Sequence, residues 1–582
     1  MNYSSDKDVL AYVRRARDYE AKAPENADIR LAIVTNFTDD LLGKLIVGMC
    51  AAARINPSVY QVPFKQYLFE LKDPKSALAR HNADITFIFF DANPYAHSEF
   101  VADGKHASDT LHDIERYAQS TSGIVVAQTL PAPAALQHGR LLRDSAHAAV
   151  ARAYNSRLAA LEKAAKNIHV VDTDRMLGHM GEREARDLRG LYAFSQPFAH
   201  DFLLAVAREW MAYVNVLRGR ARKCLVLDLD NVLWGGIVGE AGPLGIALGH
   251  EYPGNAFREF QRTLLEFYGR GIILAINSRN NEADVDEVFE KNPNMLLKKE
   301  HFAARRINWE PKTDNLRALA QELNIGSDSM VFIDDDPVNR AAVAAEFPEV
   351  YVPEWSMRPE GYVHALLDLD VFHALAVTEE DRARGAMYAA EARRKAAAPK
   401  AASPEGFLAS LGIAIGISVN ADALIARLAQ LTQKTNQYNL TTRRASEEEI
   451  RKWIAAGTLA YAGDVRDRFG AYGITVVAIC KPQSGTVVEL QTYLMSCRVA
   501  GRHVEDSFFG AIVQDLRKRG YQRLRASYIP TAKNTPIKDF LPSVGAREVE
   551  RKKSGEILYE IPLAAPSSRS KKKLPVKVSM VA

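Results

Sequence analysis

Short apolar runs separated by long amphipathic stretches recur down the first two thirds of the chain, and that alternation leaves few folds open. Leu31–Val34, Ile85–Phe90, Gly123–Ala127 and Ile168–Val171 are each short, apolar and rich in β-branched residues, as buried strands are. Residues 107–119 and 143–165 lie between them and carry apolar positions at helical spacing. Strand–helix alternation predicts a parallel sheet with helices on both faces. The pattern restarts at Lys223–Asp228 and continues through Gly271–Ile276 and Met330–Asp334. A different texture follows the Ala-rich, charged helix expected over 379–398 and the break at 401–404. There, Gly473–Ile479 and Thr486–Leu494 read as neighbouring antiparallel strands, and a helix is expected over about 504–519. The expectation is α/β domains over 1–220 and 221–375, an α+β domain over 376–563, and a polar, basic, disordered tail over 564–582.

The formal charge of +4 on 582 residues gives no argument for nucleic acid as the main ligand, since such partners call for a basic face or stripe. The one clear charge run, Arg569–Lys573, reads as a solvated tail. Cys50, Cys224, Cys480 and Cys497 are scattered, without CxxC pairs or metal-ligand spacing, which fits a reducing cytoplasm. The charged N-terminus has no apolar core of a signal peptide, and no run is long enough to span a membrane, so no membrane partner is expected.

The chemistry concentrates after the strands of the second domain. An apolar strand, Leu225–Leu227, runs straight into Asp228 and Asp230, followed by Gly235 and Gly236. Asn277 and Ser278 follow a second strand, Lys312 follows Trp309-Glu310-Pro311, and Asp334-Asp335-Asp336 follow a third. The carboxyl ends of strands in an open parallel sheet form its ligand crevice. A carboxylate there can attack phosphorus, a second can serve as acid and base, and serine and lysine can hold phosphate oxygens. Crowded carboxylates repel without a cation, and Mg²⁺ takes hard oxygen ligands of this kind.

Four ordered elements, from the DxDxV of Asp228–Val232 to the DDD of Asp334–Asp336, resemble the haloacid dehalogenase-like (HAD) superfamily. The resemblance implies a Rossmann-like fold, Asp228 as nucleophile and Asp230 as general acid/base. It further implies phosphate binding by Ser278 and Lys312, with Arg279 and Asn280 alongside. Mg²⁺ is implied at Asp228, Asp334 and Asp335, with Asp230 contributing its backbone carbonyl. The segments 236–271 and 278–312 are too short to add a large cap domain.

The wider wording, KCLVLDLDNVLWGGIVGE, NWEPKTDNL, LTQKTNQYNLTTRR and MSCRVAGRHVE, resembles the FkbH-like family of glyceryl transferase/phosphatases over most of the chain. That implies capture of a glyceryl group from 1,3-bisphosphoglycerate on the phosphopantetheine of an acyl carrier protein, and removal of the remaining phosphate, for polyketide assembly. Val232, Arg279, Asn339 and His503 depart from the usual family wording and leave the acyl group open. A free-standing phosphatase of small esters and a carrier-docking scaffold remain as alternatives.

The third domain resembles a GCN5-related (GNAT) acyltransferase. Its Cys497–His503 segment lies between a strand and a helix, where backbone N–H groups can hold a phosphate, and the resemblance assigns Arg498, Gly501 and Arg502 to pantetheine. Cys497, beside Arg498 and a helix start, is the cysteine best placed to carry an acyl group as a thiolate; direct transfer to the carrier thiol is the competing reading. Cys224 and Cys480 fit core packing. The first domain resembles SGNH-type hydrolases in its flavodoxin-like layout, yet Thr35-Asn36-Phe37 stands where the Gly-Asp-Ser would be, so a binding or docking role is expected. His200 reads as a surface residue.

Overall fold

The computed structural model describes residues 9–22, 26–91, 104–131, 146–355, 358–377, 379–382, 387, 404–563 and 575–581. Most of the helix expected over 379–398 and the whole Arg569–Lys573 run lie outside these residues, as does the side chain of Cys497. Two compact units divide the chain. One runs to Val214 and takes in Ser446–Glu449; the other spans Asn215–Ala445 and resumes at Ile450.

The first unit is built on strands β1 (Ile29–Thr35), β2 (Pro57–Gln61), β3 (Ile85–Phe89), β4 (Ile124–Gln128) and β5 (Ile168–Val171). Their order is β2-β1-β3-β4-β5 and every pairing is parallel, which is the flavodoxin-like order. β1 and β3 are buried along nearly their whole length because helices cover both faces. Beyond β1, Asn36 exchanges hydrogen bonds with the backbone of Asp91. Asp91 is in turn paired with Arg186 at 2.8 Å. His200 is exposed at the start of the helix His200–Leu217.

The second unit holds two sheets. Strands β6 (Cys224–Leu227), β7 (Ile273–Ser278), β8 (Phe302–Ile307) and β9 (Met330–Ile333) form a parallel sheet in the order β8-β7-β6-β9. Side-chain alternation is strict. Leu225, Leu227, Ile276 and Ile333 enter one apolar layer, while Cys224, Val226, Ala275 and Phe332 enter the other. Apolar layers on both faces are the reason these strands read as continuous apolar runs. Cys224 is fully buried in this core, as expected, and burial pushes its thiol pKa up.

Eight strands make the other sheet: β10 (Ala414–Val419), β11 (Leu459–Asp467), β12 (Gly470–Pro482), β13 (Val487–Met495), β14 (Arg523–Tyr528), β15 (Arg547–Arg551), β16 (Ile557–Pro562) and β17 (Lys577–Met580). Their order is β15-β16-β14-β13-β12-β11-β10-β17. β12 and β13 pair antiparallel, as the sequence predicts. β13 and β14 run parallel only through Leu490 and Ala526. Beyond that point Tyr438–Leu440 lies between them, with Met495 N–H donating to Tyr438 O, Leu440 N–H to Tyr493 O and Ile529 N–H to Leu440 O.

β17 corrects the expectation of a disordered tail for 577–580. It pairs parallel with β10, and Lys577 and Val581 donate backbone hydrogen bonds to Ile413 and Ile417. Its side chains are all exposed, so backbone pairing at a sheet edge holds it, and composition does not register that.

Candidate active site

The carboxyl ends of β6, β7 and β9 bring together residues more than a hundred positions apart. Asp228 follows β6, accepts a hydrogen bond from Leu229 N–H at 2.8 Å, and is almost buried. Lys312, the first residue of the helix Lys312–Leu323, is 3% exposed and places its Nζ 2.8 Å from Asp228 Oδ2 and 3.0 Å from Asp334 Oδ2. The same Nζ donates to Asn277 O at 2.7 Å, while Asn277 Nδ2 donates back to Lys312 O at 2.9 Å. This reciprocal pair fixes the lysine between two carboxylates.

Asp334 is fully buried after β9, and Asn339 Nδ2 donates to its Oδ1 at 3.1 Å. Burial, then the neighbouring Asp228 charge, lifts its pKa to about 6 against the pull of Lys312. Asp335 is raised by the same two causes. Asp336 accepts from Val338 N–H and so caps the helix Pro337–Glu346. It serves the turn and not the cluster. Arg340 donates to the carbonyls of Asp334 and Asp335, at 2.7 Å each, and pins that turn from below.

Asp230 is turned a different way from Asp228, although a regular strand would put them on one side. β6 ends at Leu227, and the turn that follows passes through Asn231 at φ 55°, in the left-handed region that asparagine tolerates. Asp230 Oδ1 then accepts from Trp234 Nε1 at 2.8 Å and Val238 N–H at 3.2 Å, and its Oδ2 from Asn280 Nδ2 at 3.0 Å. Burial raises its pKa while these donors hold it back. Two carboxylates two residues apart therefore have different settings, as separate acid/base and nucleophilic roles require.

The expected phosphate ligands do not all stand alike. Ser278 is buried as the last residue of β7, its Oγ accepting from Asn280 Nδ2 at 3.1 Å. Arg279 is exposed. Asn280 serves Asp230 and Ser278 together. The sequence reading missed Asn231, Trp234 and Tyr362 as parts of this site. Asn231 Nδ2 donates to Asp335 Oδ2 at 3.2 Å, and Tyr362 OH donates to Asn231 O at 2.7 Å. Only the Asn that follows Asp230, a residue type suited to positive φ, carries a signal of this in the sequence.

A divalent cation fits here. Carboxylate oxygens of Asp228, Asp334 and Asp335 lie within 4.8 Å of one another, a hard-oxygen set of the kind Mg²⁺ takes. The Asp230 carboxylate is not part of this set, and its oxygens are taken up by Trp234, Val238 and Asn280.

In the eight-stranded domain, Cys497–Val499 form a single 3₁₀ turn after β13, and Gly501 takes φ 73° before the helix Val504–Lys518 begins. Arg502 lies over the Tyr472 ring and donates to its hydroxyl. Arg498 instead donates to Ser496 Oγ at 3.1 Å and contacts the Met387 sulfur. Cys480 is buried in this domain's core.

No protein-family model matches the sequence, and no curated protein matches it. Among solved structures, the chain is similar to the N-terminal part of a Bacteroides fragilis protein containing a phosphatase domain, complexed with Mg. The identity is 28% and the TM-score 0.58, over 63% of this chain and 99% of that one. A quarter or so of the chain also aligns with the ribosomal-protein-S18-alanine N-acetyltransferase of Escherichia coli, at 13% identity and TM-score 0.21 over 27% of this chain and 97% of that one, a likeness too slight to argue from. The chain is a multidomain α/β protein with a phosphatase-like domain. No helix among the described residues is long and apolar enough to cross a membrane.

Proposed function

We propose that the Asp228 centre is a Mg²⁺-dependent phosphatase, and that the whole chain loads a dephosphorylated glyceryl group onto an acyl carrier protein. The observation that carries the first part is Lys312, buried between Asp228 and Asp334 where a phosphoryl group has to be neutralised. Asp228, Asp334 and Asp335 would hold the cation, which supplies charge neutralisation to the carboxylates and the transferring phosphoryl group.

Asp228 attacks phosphorus, the bond to the leaving oxygen breaks, and the carboxyl group of Asp230 gives that oxygen a proton. Asp230, now a carboxylate, takes a proton from water as the water attacks the aspartyl-phosphate, which returns Asp228 and frees phosphate. Trp234, Asn280 and Val238 N–H hold Asp230 in place for both transfers. Ser278 and Lys312 hold the phosphoryl oxygens. Phosphate release from a simple phosphate monoester is expected to stop on chelation and to return with Mg²⁺. Full turnover in excess chelator would refute the reading.

The finer reading rests on the resemblance of four sequence blocks to glyceryl transferase/phosphatases. The carrier thiol attacks the acyl phosphate of 1,3-bisphosphoglycerate, directly or through Cys497, and phosphate leaves. Hydrolysis at Asp228 then removes the second phosphate. Cys497→Ser is expected to block carrier acylation and to spare monoester hydrolysis, because a serine hydroxyl stays protonated where a thiol is partly ionised. The intact mass of the carrier beside phosphate release reads both. Undiminished acylation by the variant favours direct transfer.

A further inference from the structure

Each of the four strands of the parallel sheet leads into a loop that puts a side chain into solvent, at the end of the sheet that carries Asp228. After β6, Ile237 is 46% exposed and stands next to Val238, whose N–H holds Asp230. After β7, Arg279 is exposed between Ser278 and Asn280. After β8, Trp309 is 69% exposed, three residues before Lys312. After β9, Val338 is 72% exposed, two residues past Asp336. Single apolar side chains scattered over a surface are ordinary. Ile237, Trp309 and Val338 are not scattered, since each lies within a few residues of a group that builds the Asp228 centre.

Trp309 is held outward. Its Nε1–H donates to Asn281 Oδ1 at 3.1 Å, and Asn281 Nδ2 donates to Asp284 Oδ2 at 3.1 Å. On its other side, Asn308 N–H donates to Ser278 O at 3.2 Å. The side-chain amides of Asn308 and Asn315 bond each other reciprocally at 2.8 and 3.2 Å, and Asn315 is buried, so the loop is anchored in the core. The indole thus bridges the segment that follows Ser278 and the segment that leads into Lys312, the two residues proposed to hold phosphoryl oxygens. Apolar surface fixed in water beforehand lowers the ordering cost of a contact. Tryptophan is among the residue types that most often carry the binding energy of protein interfaces.

Charge does not choose the occupant. Arg279 is accompanied by Glu240 and Glu310, exposed on neighbouring loops, so the polar fringe carries both signs. An apolar centre inside a mixed polar fringe is the anatomy of a protein interface. Continuity with the active site does choose it. A phosphoryl group at Asp228 leaves the rest of its substrate at this rim. A three-carbon alcohol is too small to cover the rim, since one aromatic side chain alone offers roughly 150–250 Å². A protein that bears the phosphoryl group on a tether is large enough.

We infer that Ile237, Trp309 and Val338 form an apolar docking surface for the protein that bears the phosphoryl substrate, an acyl carrier protein. The identity of that bearer rests on the proposed carrier reading. The test is phosphate release by the full chain with Mg²⁺ from two substrates, glycerol 3-phosphate and an acyl carrier protein bearing a phosphoglyceryl thioester. Wild type is compared with Trp309→Ala, Trp309→Phe and Val338→Ser. Wild type is expected to favour the carrier-borne ester by at least tenfold in kcat/KM. Trp309→Ala and Val338→Ser are expected to raise KM for the carrier at least tenfold and fivefold, with kcat little changed, because docking precedes the chemistry. Trp309→Phe should recover most of the loss, since a ring in the same place keeps much of the apolar area. Glycerol 3-phosphate hydrolysis should stay within twofold of wild type in all three variants, which also shows that they fold. An unchanged KM for the carrier in both Trp309→Ala and Val338→Ser overturns the inference, as do equal losses on the two substrates or a wild type without preference between them. The underlying readings fail in other ways. Hydrolysis of glycerol 3-phosphate alone by wild type would remove the carrier reading, and the docking surface with it. Hydrolysis of neither substrate would remove the phosphatase reading.

Discussion

Asp228→Asn is expected to lower phosphate release from a monoester by at least about a thousandfold while leaving the chain folded. An amide cannot displace an alkoxide from phosphorus, and losing a covalent nucleophile costs far more than losing one hydrogen bond. The fold should tolerate the change. Asparagine keeps the carbonyl oxygen that accepts from Leu229 N–H, and it removes one of the carboxylates that crowd Asp334. Steady-state phosphate release beside a thermal melt checks both halves. Activity within tenfold of wild type would remove Asp228 from the chemistry.

Lys312→Met is expected to cost both activity and stability. Methionine fills much of the same volume but leaves Asp228 and Asp334 buried without the cation between them. Removing one member of a buried ion pair typically costs about 3–5 kcal/mol. Proton uptake limits that loss, because Asp334 already has its pKa raised to about 6 and would rise further without Lys312. A carboxyl with a raised folded pKa binds its proton more tightly folded than unfolded. The variant's deficit should therefore be largest at alkaline pH and shrink from roughly pH 8 toward pH 5. Mg²⁺ should also recover part of it, through the three-carboxylate cluster. Urea midpoints in chelator and in Mg²⁺, at several pH values, measure this. A midpoint equal to wild type under all of them would show that the lysine is not holding the carboxylates together.

The strands of the phosphatase-like sheet were legible because β6 and β9 are buried on both faces, and Cys224–Leu227 and Met330–Ile333 can be nothing but apolar. Asp228, Lys312 and Asp334 were legible because each follows such a run or a turn signal, and ordered spacing carries their chemistry. β8 was not, since Phe302-Ala-Ala-Arg-Arg-Ile307 is an edge strand whose arginines face outward to Asp286 and Glu322. β17 was hidden by the basic composition around it.

What escaped at the site is what tertiary structure alone decides. Trp234 reads as one more apolar residue after Asp230, yet its indole N–H aims the carboxylate. Tyr362 supports Asn231 from 131 residues away, a distance at which spacing carries no information. The two arginines of the Cys497–His503 turn look equivalent in sequence. Backbone turns at Gly501 and His503, both at positive φ, precede the helix, and Arg502 ends over Tyr472 while Arg498 turns back to Ser496 and Met387.

The most direct test of the account is the intact mass of a phosphopantetheinylated acyl carrier protein after incubation with 1,3-bisphosphoglycerate, Mg²⁺ and either wild type or Asp228→Asn. The account predicts a carrier heavier by one glyceryl group with wild type, with two phosphates released for each carrier loaded. With Asp228→Asn it predicts a carrier that stops at the phosphoglyceryl stage, after one phosphate. A carrier left unmodified by wild type, or one equally dephosphorylated by both proteins, would contradict it.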